Sequence, residues 1–161
     1  MNYLDMAIQL ENDGEMFYLE QADKNSGREI ERVFKLLANE ERKHRELLEN
    51  FSKKLDYTIP EAESELDYEN IFKNENDFNV ETETETKQID VYRLALQKEE
   101  ESIKLYQKMK QEASEEEEKV LLDYLIKQEE NHYRIFNNIV ELLRKAEEWV
   151  ESAEFGKREN Y

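Results

Sequence analysis

Apolar positions recur at three- and four-residue steps in four separate stretches of the chain. In the first, Leu4, Ala7, Glu11, Gly14, Tyr18 and Gln21 form one seam, with Ile8, Phe17 and Ala22 beside it. That period predicts a helix with one face turned to a core. Asn25-Ser26-Gly27 ends it, and Ser26 with Glu29 three residues on reads as a capping box that opens the next helix. The second stretch repeats at Ile30, Phe34, Leu37, Glu41, His44, Leu48, Phe51 and Leu55, and Pro60 stops anything running past Asp56. The third carries Tyr92, Ala95, Glu99, Ser102, Tyr106 and Met109. Ser114 with Glu117 reads as another capping box, and the fourth stretch follows with Leu122, Leu125, Glu129, His132, Phe136, Ile139, Leu143, Ala146 and Val150. The predicted helices cover about 3–24, 27–56, 88–113 and 115–150.

Residues from about 57 to 88 break this pattern. Glu81-Thr82-Glu83-Thr84-Glu85-Thr86 is low in complexity and acidic, and reads as a solvated connection. Leu66, Ile71, Phe72 and Phe78 give the rest of the stretch apolar side chains with which to dock. A connection this long can pass from one end of a bundle to the other. The tail 151–161 has no clear pattern and is expected to fray. The predicted architecture is all-α: one domain over 1–161, a four-helix bundle of two helix hairpins with a long crossover between helices 2 and 3.

The two hairpins match each other at a single offset of 88 residues, without a gap. The offset takes Ala7 to Ala95, Gln9 to Gln97, Glu11 to Glu99 and Tyr18 to Tyr106. It also takes Leu37 to Leu125, Glu41 to Glu129, His44 to His132 and Leu55 to Leu143. One hairpin therefore occurs twice, related by an approximate two-fold axis.

Composition narrows the chemistry. The formal charge is −18, from 23 basic and 41 acidic residues of 161, so nucleic acid and anionic membranes are excluded as primary partners. The absence of cysteine excludes thiol catalysis, iron–sulfur clusters and rubredoxin-type iron. Neither a glycine-rich phosphate cradle nor an apolar run long enough to span a bilayer is present. The first residues, Met1 to Asp5, lack the basic and apolar segments of a secretory signal, and the expected location is cytoplasmic.

Against this background six polar residues occupy seam positions: Glu11, Glu41, His44, Glu99, Glu129 and His132. Four carboxylates buried together repel one another and need compensation. Two divalent cations would supply it, with neutral imidazoles completing the coordination. In each Glu-x-x-His the two side chains share one helix face, and one Glu on each remaining helix completes the donor set of a dinuclear carboxylate bundle. Oxygen and imidazole donors without thiolate suit iron or manganese, and zinc could also occupy the site. The competing reading is a metal-free bundle with protonated or partly exposed carboxylates. For Tyr18 and Tyr106 two readings stand: ordinary core tyrosines, or hydroxyls that hydrogen-bond to ligand carboxylates. Glu40, Glu100, Glu101 and Glu130 point off the seam and read as solvated, Met16 and Met109 as packing residues, and Trp149 as a bundle-end or interface residue.

Glu11 followed by Tyr18, Glu41-Arg42-Lys43-His44, Glu99 followed by Tyr106, and Glu129-Glu130-Asn131-His132 resemble the ferritin-like superfamily, and within it the rubrerythrin group. The likeness covers the four helices, from about residue 3 to 150. It implies two iron ions. Glu11 and His44 would bind one, Glu99 and His132 the other, and Glu41 and Glu129 would bridge them. Tyr18 and Tyr106 would hydrogen-bond to carboxylates of the opposite hairpin. Two departures bear on activity. The cysteine-ligated iron site of rubrerythrins has no counterpart, so electrons would come from another protein, such as a rubredoxin-type carrier. Ser102 also stands where the group carries an extra glutamate linked to peroxide reduction; Gly14 is its repeat mate, and Glu15 is the nearest substitute.

The resemblance implies a non-haem di-iron oxidoreductase whose oxidant is hydrogen peroxide or dioxygen, with peroxide scavenging as the leading expectation. It also implies a homodimer. Two alternatives are carried: an iron-binding ferroxidase and storage protein, and a non-catalytic helical interaction module held together by metal.

Overall fold

The protein's structure is a computed structural model that describes residues 1–60 and 82–159, with side chains described over 1–60 and 88–149. Among the described residues there are four helices: α1 (Tyr3–Lys24), α2 (Glu29–Ser52), α3 (Thr82–Glu112) and α4 (Glu116–Glu159). α1 packs along α2 and α3 along α4, and α1 also touches α3. This is the all-α four-helix bundle that the hydrophobic period predicts, of the ferritin-like kind that the resemblance implies.

Helix ends differ from expectation where local backbone chemistry decides. Neither Ser26 nor Ser114 caps a helix. Arg28 is the N-cap of α2 and makes no side-chain cap bond; the Gly27 N–H instead donates to Glu31 Oε2 at 2.9 Å. Gly27 has φ +84°, which lets the chain turn inside the loop and postpones the helix start. Ser114 lies outside α4, which opens on Glu116, Glu117 and Glu118, placed favourably at the positive end of the helix dipole. α2 stops at Ser52, before Pro60 can act. Lys54 turns left-handed at φ 57°, Leu55 N–H reaches Asn50 O at 2.8 Å, and Lys54 N–H reaches Phe51 O at 3.2 Å. These are the two bonds of a Schellman stop. Leu55 therefore leaves the seam and is exposed.

Two stretches expected to be irregular are helical. The Glu-Thr run from Thr82 belongs to α3, and 151–159 extends α4 rather than fraying. Glu, Ala, Lys and Arg in these stretches are strong helix formers, and acidic residues suit a helix start. Leu66, Ile71, Phe72 and Phe78 fall outside the described residues, as does the side chain of Val150.

The core consists of two apolar plugs. One holds Tyr18, Phe34, Tyr92 and Phe136, stacked with ring centroids 5.7–6.3 Å apart, above Leu37, Ile135 and Ile139. The other is mostly aliphatic: Ala7, Leu48, Leu121, Leu122 and Leu125 around Tyr106 and Met109. The 88-residue offset exchanges them, pairing Phe34 with Leu122 and Phe136 with Leu48. Along α1 and α4 the aliphatic plug comes first; along α2 and α3 the aromatic plug comes first. α2 and α3 consequently run parallel, so α2 ends and α3 begins at opposite ends of the bundle. On every helix the polar seam residues fall between the two plugs.

Candidate metal centre

Glu11 on α1 and Glu99 on α3 lie two turns before Tyr18 and Tyr106, and Glu41 on α2 and Glu129 on α4 lie one turn after Leu37 and Leu125. Glu11, Glu41, His44, Glu99, Glu129 and His132 are all buried, none more than 3% exposed. All six seam residues singled out in the sequence thus come together. They fall into two overlapping groups: Glu11, Glu41, His44 and Glu129, and Glu41, Glu99, Glu129 and His132. Within each group, one donor atom per residue lies within 4.8 Å of every other, and Glu41 and Glu129 belong to both groups.

His44 Nδ1 lies 3.1 Å from Glu129 Oε1 and 3.5 Å from Glu11 Oε2. His132 Nδ1 lies 2.9 Å from Glu41 Oε1, 3.4 Å from Glu129 Oε2 and 3.5 Å from Glu99 Oε1. The two imidazoles face each other at 5.8 Å. The tyrosines follow the sharper of their two readings: Tyr18 OH donates to Glu99 Oε1 and Tyr106 OH to Glu11 Oε1, each from the opposite hairpin. Burial and the facing carboxylates push both phenols well above their ordinary range.

Protons are shared unevenly over the cluster. Burial alone would raise the Glu11 carboxyl, but hydrogen bonding from Glu41 and the charge of His44 outweigh it and hold Glu11 at about 2. Glu99 is likewise lowered against its burial, chiefly by the charge of His132. Burial and then the charge of Glu11 drive Glu41 and Glu129 well above the carboxylate range. Burial would lower His44, but Glu11 and Glu129 raise it to about 10, and His132 is raised in the same way by Glu99. Without cations, then, these shifts favour charge on Glu11, Glu99 and both imidazoles and a proton on Glu41 and Glu129.

This proton arrangement satisfies the charges but not the hydrogen bonds. Glu11 Oε2, Glu41 Oε1, Glu99 Oε2, Glu129 Oε2 and His132 Nδ1 are buried with no hydrogen-bond partner among the described residues. An orphaned buried polar atom costs about 1–3 kcal/mol. Five in one layer mark donor atoms arranged for something other than each other, and buried carboxylate oxygens with imidazole nitrogen suit first-row divalent ions.

Between α1 and α3 a small cavity of about 20 Å³ reaches this layer, lined by Gly14, Tyr18, Lys98, Glu41, Glu99 and Ser102. It has room for one water-sized molecule. A Cβ at Gly14 would lie 2.8 Å from Glu41 Oε2, so a larger residue there would have to displace that carboxylate. Glu15 does not take the place of the missing glutamate, since its Oε1 pairs with Arg45 at 3.0 Å.

Outside the cluster, Met16 and Glu40 depart from expectation. Met109 packs in the core but Met16 is 61% exposed, because it lies off the α1 seam. Trp149 is 76% exposed. Glu100, Glu101 and Glu130 are exposed as expected, but Glu40 is not solvated: its Oε2 meets His132 Nε2 and its side chain is 13% exposed. Periodicity alone could not identify it, because Glu40 approaches the site from the flank of α2. The one available signal is its place immediately before a seam glutamate.

The rubrerythrin family profile matches residues 2–140, and the chain belongs to that family. A hypothetical protein from Pyrococcus furiosus is similar in structure, with a TM-score of 0.65, 26% identity and 89% of each chain covered. Comparison with curated protein sequences finds no match. Among the described residues no helix is long and apolar enough to cross a membrane.

Proposed function

We propose that this protein is a di-iron oxidoreductase that reduces hydrogen peroxide to water with electrons from an external carrier of rubredoxin type. The observation that carries this reading is the pair of four-residue groups sharing Glu41 and Glu129. Glu11 with His44 and Glu99 with His132 would each hold one metal ion, and Glu41 and Glu129 would span both. A ferrous pair bound there would supply two electrons and Lewis acidity for peroxide reduction, which with two protons gives two waters.

The chain's own residues do the rest. Tyr18 and Tyr106 fix Glu99 and Glu11 from across the bundle, so each terminal carboxylate is oriented by the other hairpin. The cavity at Gly14 and Ser102 reaches the layer with room for a water-sized molecule and excludes bulky substrates. The apolar plugs keep bulk water from the reacting layer. An external donor is needed because the chain has no cysteine with which to hold a second iron site.

Anaerobic loading with ferrous iron, followed by rapid mixing with peroxide or dioxygen, tests the reading. The expected result is about two irons per chain, oxidised faster by peroxide than by dioxygen, with one peroxide consumed per pair. Inertness to peroxide with rapid dioxygen consumption overturns it in favour of a ferroxidase. Elemental analysis of untreated protein decides among iron, manganese and zinc.

A further inference from the structure

The 88-residue offset relates the six clustered residues pairwise, yet it does not relate what lies behind the two histidines. His132 turns Nδ1 toward Glu41, Glu99 and Glu129, and its other ring nitrogen, Nε2, meets Glu40 Oε2. The carboxylates paired with His44, Glu11 and Glu129, both meet its Nδ1 on the cluster side. The repeat mate of Glu40 is Gln128, which immediately precedes Glu129 and is buried. A neutral amide thus stands in one half where an acid stands in the other. Whatever Gln128 touches, it supplies no negative charge.

We propose that Glu40 is a positioning residue that makes the two metal positions unequal, so that the position served by Glu99 and His132 fills first. The proposal rests on the reading that the six residues bind two metal ions. With Nε2–H donating to Glu40, the His132 ring is held in one orientation and one tautomer, its lone pair on Nδ1 facing the cluster. A carboxylate acceptor also makes the imidazole a stronger donor to a cation. The contact is largely sealed from solvent, His132 being fully buried and Glu40 nearly so, and salt will screen it little. Removing such a partner typically weakens metal binding by about 10- to 100-fold.

Anaerobic titration of metal-free protein with cobalt(II), followed by calorimetry and visible absorption, tests this without any turnover. Wild type is expected to bind two ions in two resolved steps, the first tighter by about tenfold or more. Glu40→Gln, which keeps shape and an acceptor oxygen but removes the charge, is expected to weaken the first step about 10- to 100-fold and leave the second nearly unchanged. Gln128→Glu is an independent probe should Glu40→Gln unfold: it is expected to tighten the weaker step and narrow the gap. A single-step wild-type isotherm, a Glu40→Gln isotherm identical to wild type, or equal weakening of both steps overturns the proposal. Wild-type protein that binds no cobalt and no iron fails at the earlier stage, by removing the metal reading itself.

Discussion

At the scale of single residues, the four clustered glutamates are not interchangeable, although periodicity gives them one role. In the cation-free protein hydrogen bonding from Glu41 and the charge of His44 favour the ionised form of Glu11, whereas burial and the charge of Glu11 favour the protonated form of Glu41. A glutamine is close to an isostere of a protonated glutamate and a poor substitute for an ionised one. Glu41→Gln is therefore expected to change metal-free stability by less than about 1 kcal/mol, while abolishing the binding of two ions together. Glu11→Gln strips a charge from a buried pair and is expected to cost about 3 kcal/mol. Denaturant melts of the two metal-free variants, compared with wild type, check the contrast; equal losses would refute the assigned proton distribution. All six residues were legible from the chain because each replaces a Leu or Ile on a seam. Glu40 was not, because its contact with His132 depends on how α2 and α4 are set against each other, and periodicity carries no information about that.

At the scale of elements, the seams and their order were readable and the helix ends were not. Ile30, Phe34, Leu37, Glu41, His44 and Leu48 are all buried on α2, as their spacing requires. The end of α2 instead depends on Lys54, a residue no composition rule marks as a helix stop. Its φ of 57° lies in the left-handed region, where a Cβ costs about 1 kcal/mol that glycine avoids. Lys54→Gly is accordingly expected to stabilise the protein by about 0.5–1 kcal/mol, after allowing for the greater freedom of glycine in the unfolded chain. Thermal melts of metal-free protein would show a raised midpoint. A lowered one would mean that the Schellman bonds of Lys54 and Leu55 do not form. The same limit applies to the Glu-Thr run, whose low complexity suggests a connection: low complexity describes composition, and glutamate-rich composition is compatible with helix.

At the scale of the whole molecule, two sources of charge act on stability, and pH and salt separate them. The chain carries a formal charge of −18, and the self-repulsion of its exposed acidic residues grows with pH. The buried layer adds a linkage of its own. His44 is raised from its ordinary value near 6.5 to about 10, so its contribution is fully present below about 6.5 and is lost as pH rises through 10. His132 acts in the same direction. Glu41 and Glu129, raised above the carboxylate range, favour the folded state while protonated and oppose it increasingly as pH rises past the point where the unfolded chain ionises. Glu11 and Glu99 have the opposite sign: lowered in the fold, they stabilise above about 4.5, and for Glu11 that is lost as pH falls through about 2. Metal-free protein is thus expected to melt highest between about pH 4.5 and 6.5 and progressively lower toward pH 9. Divalent ions would displace the protons on Glu41, Glu129 and both histidines, so metal affinity is expected to rise with pH and the loaded protein to lose far less stability over the same range. Concentrated salt screens the exposed charges but not the buried layer. If the decline above pH 6.5 survives in about 0.5 M salt yet vanishes on metal loading, it originates in the cluster between the two plugs. If salt alone removes it, the fall belongs to the acidic exterior, and the proton distribution derived for the cluster is wrong.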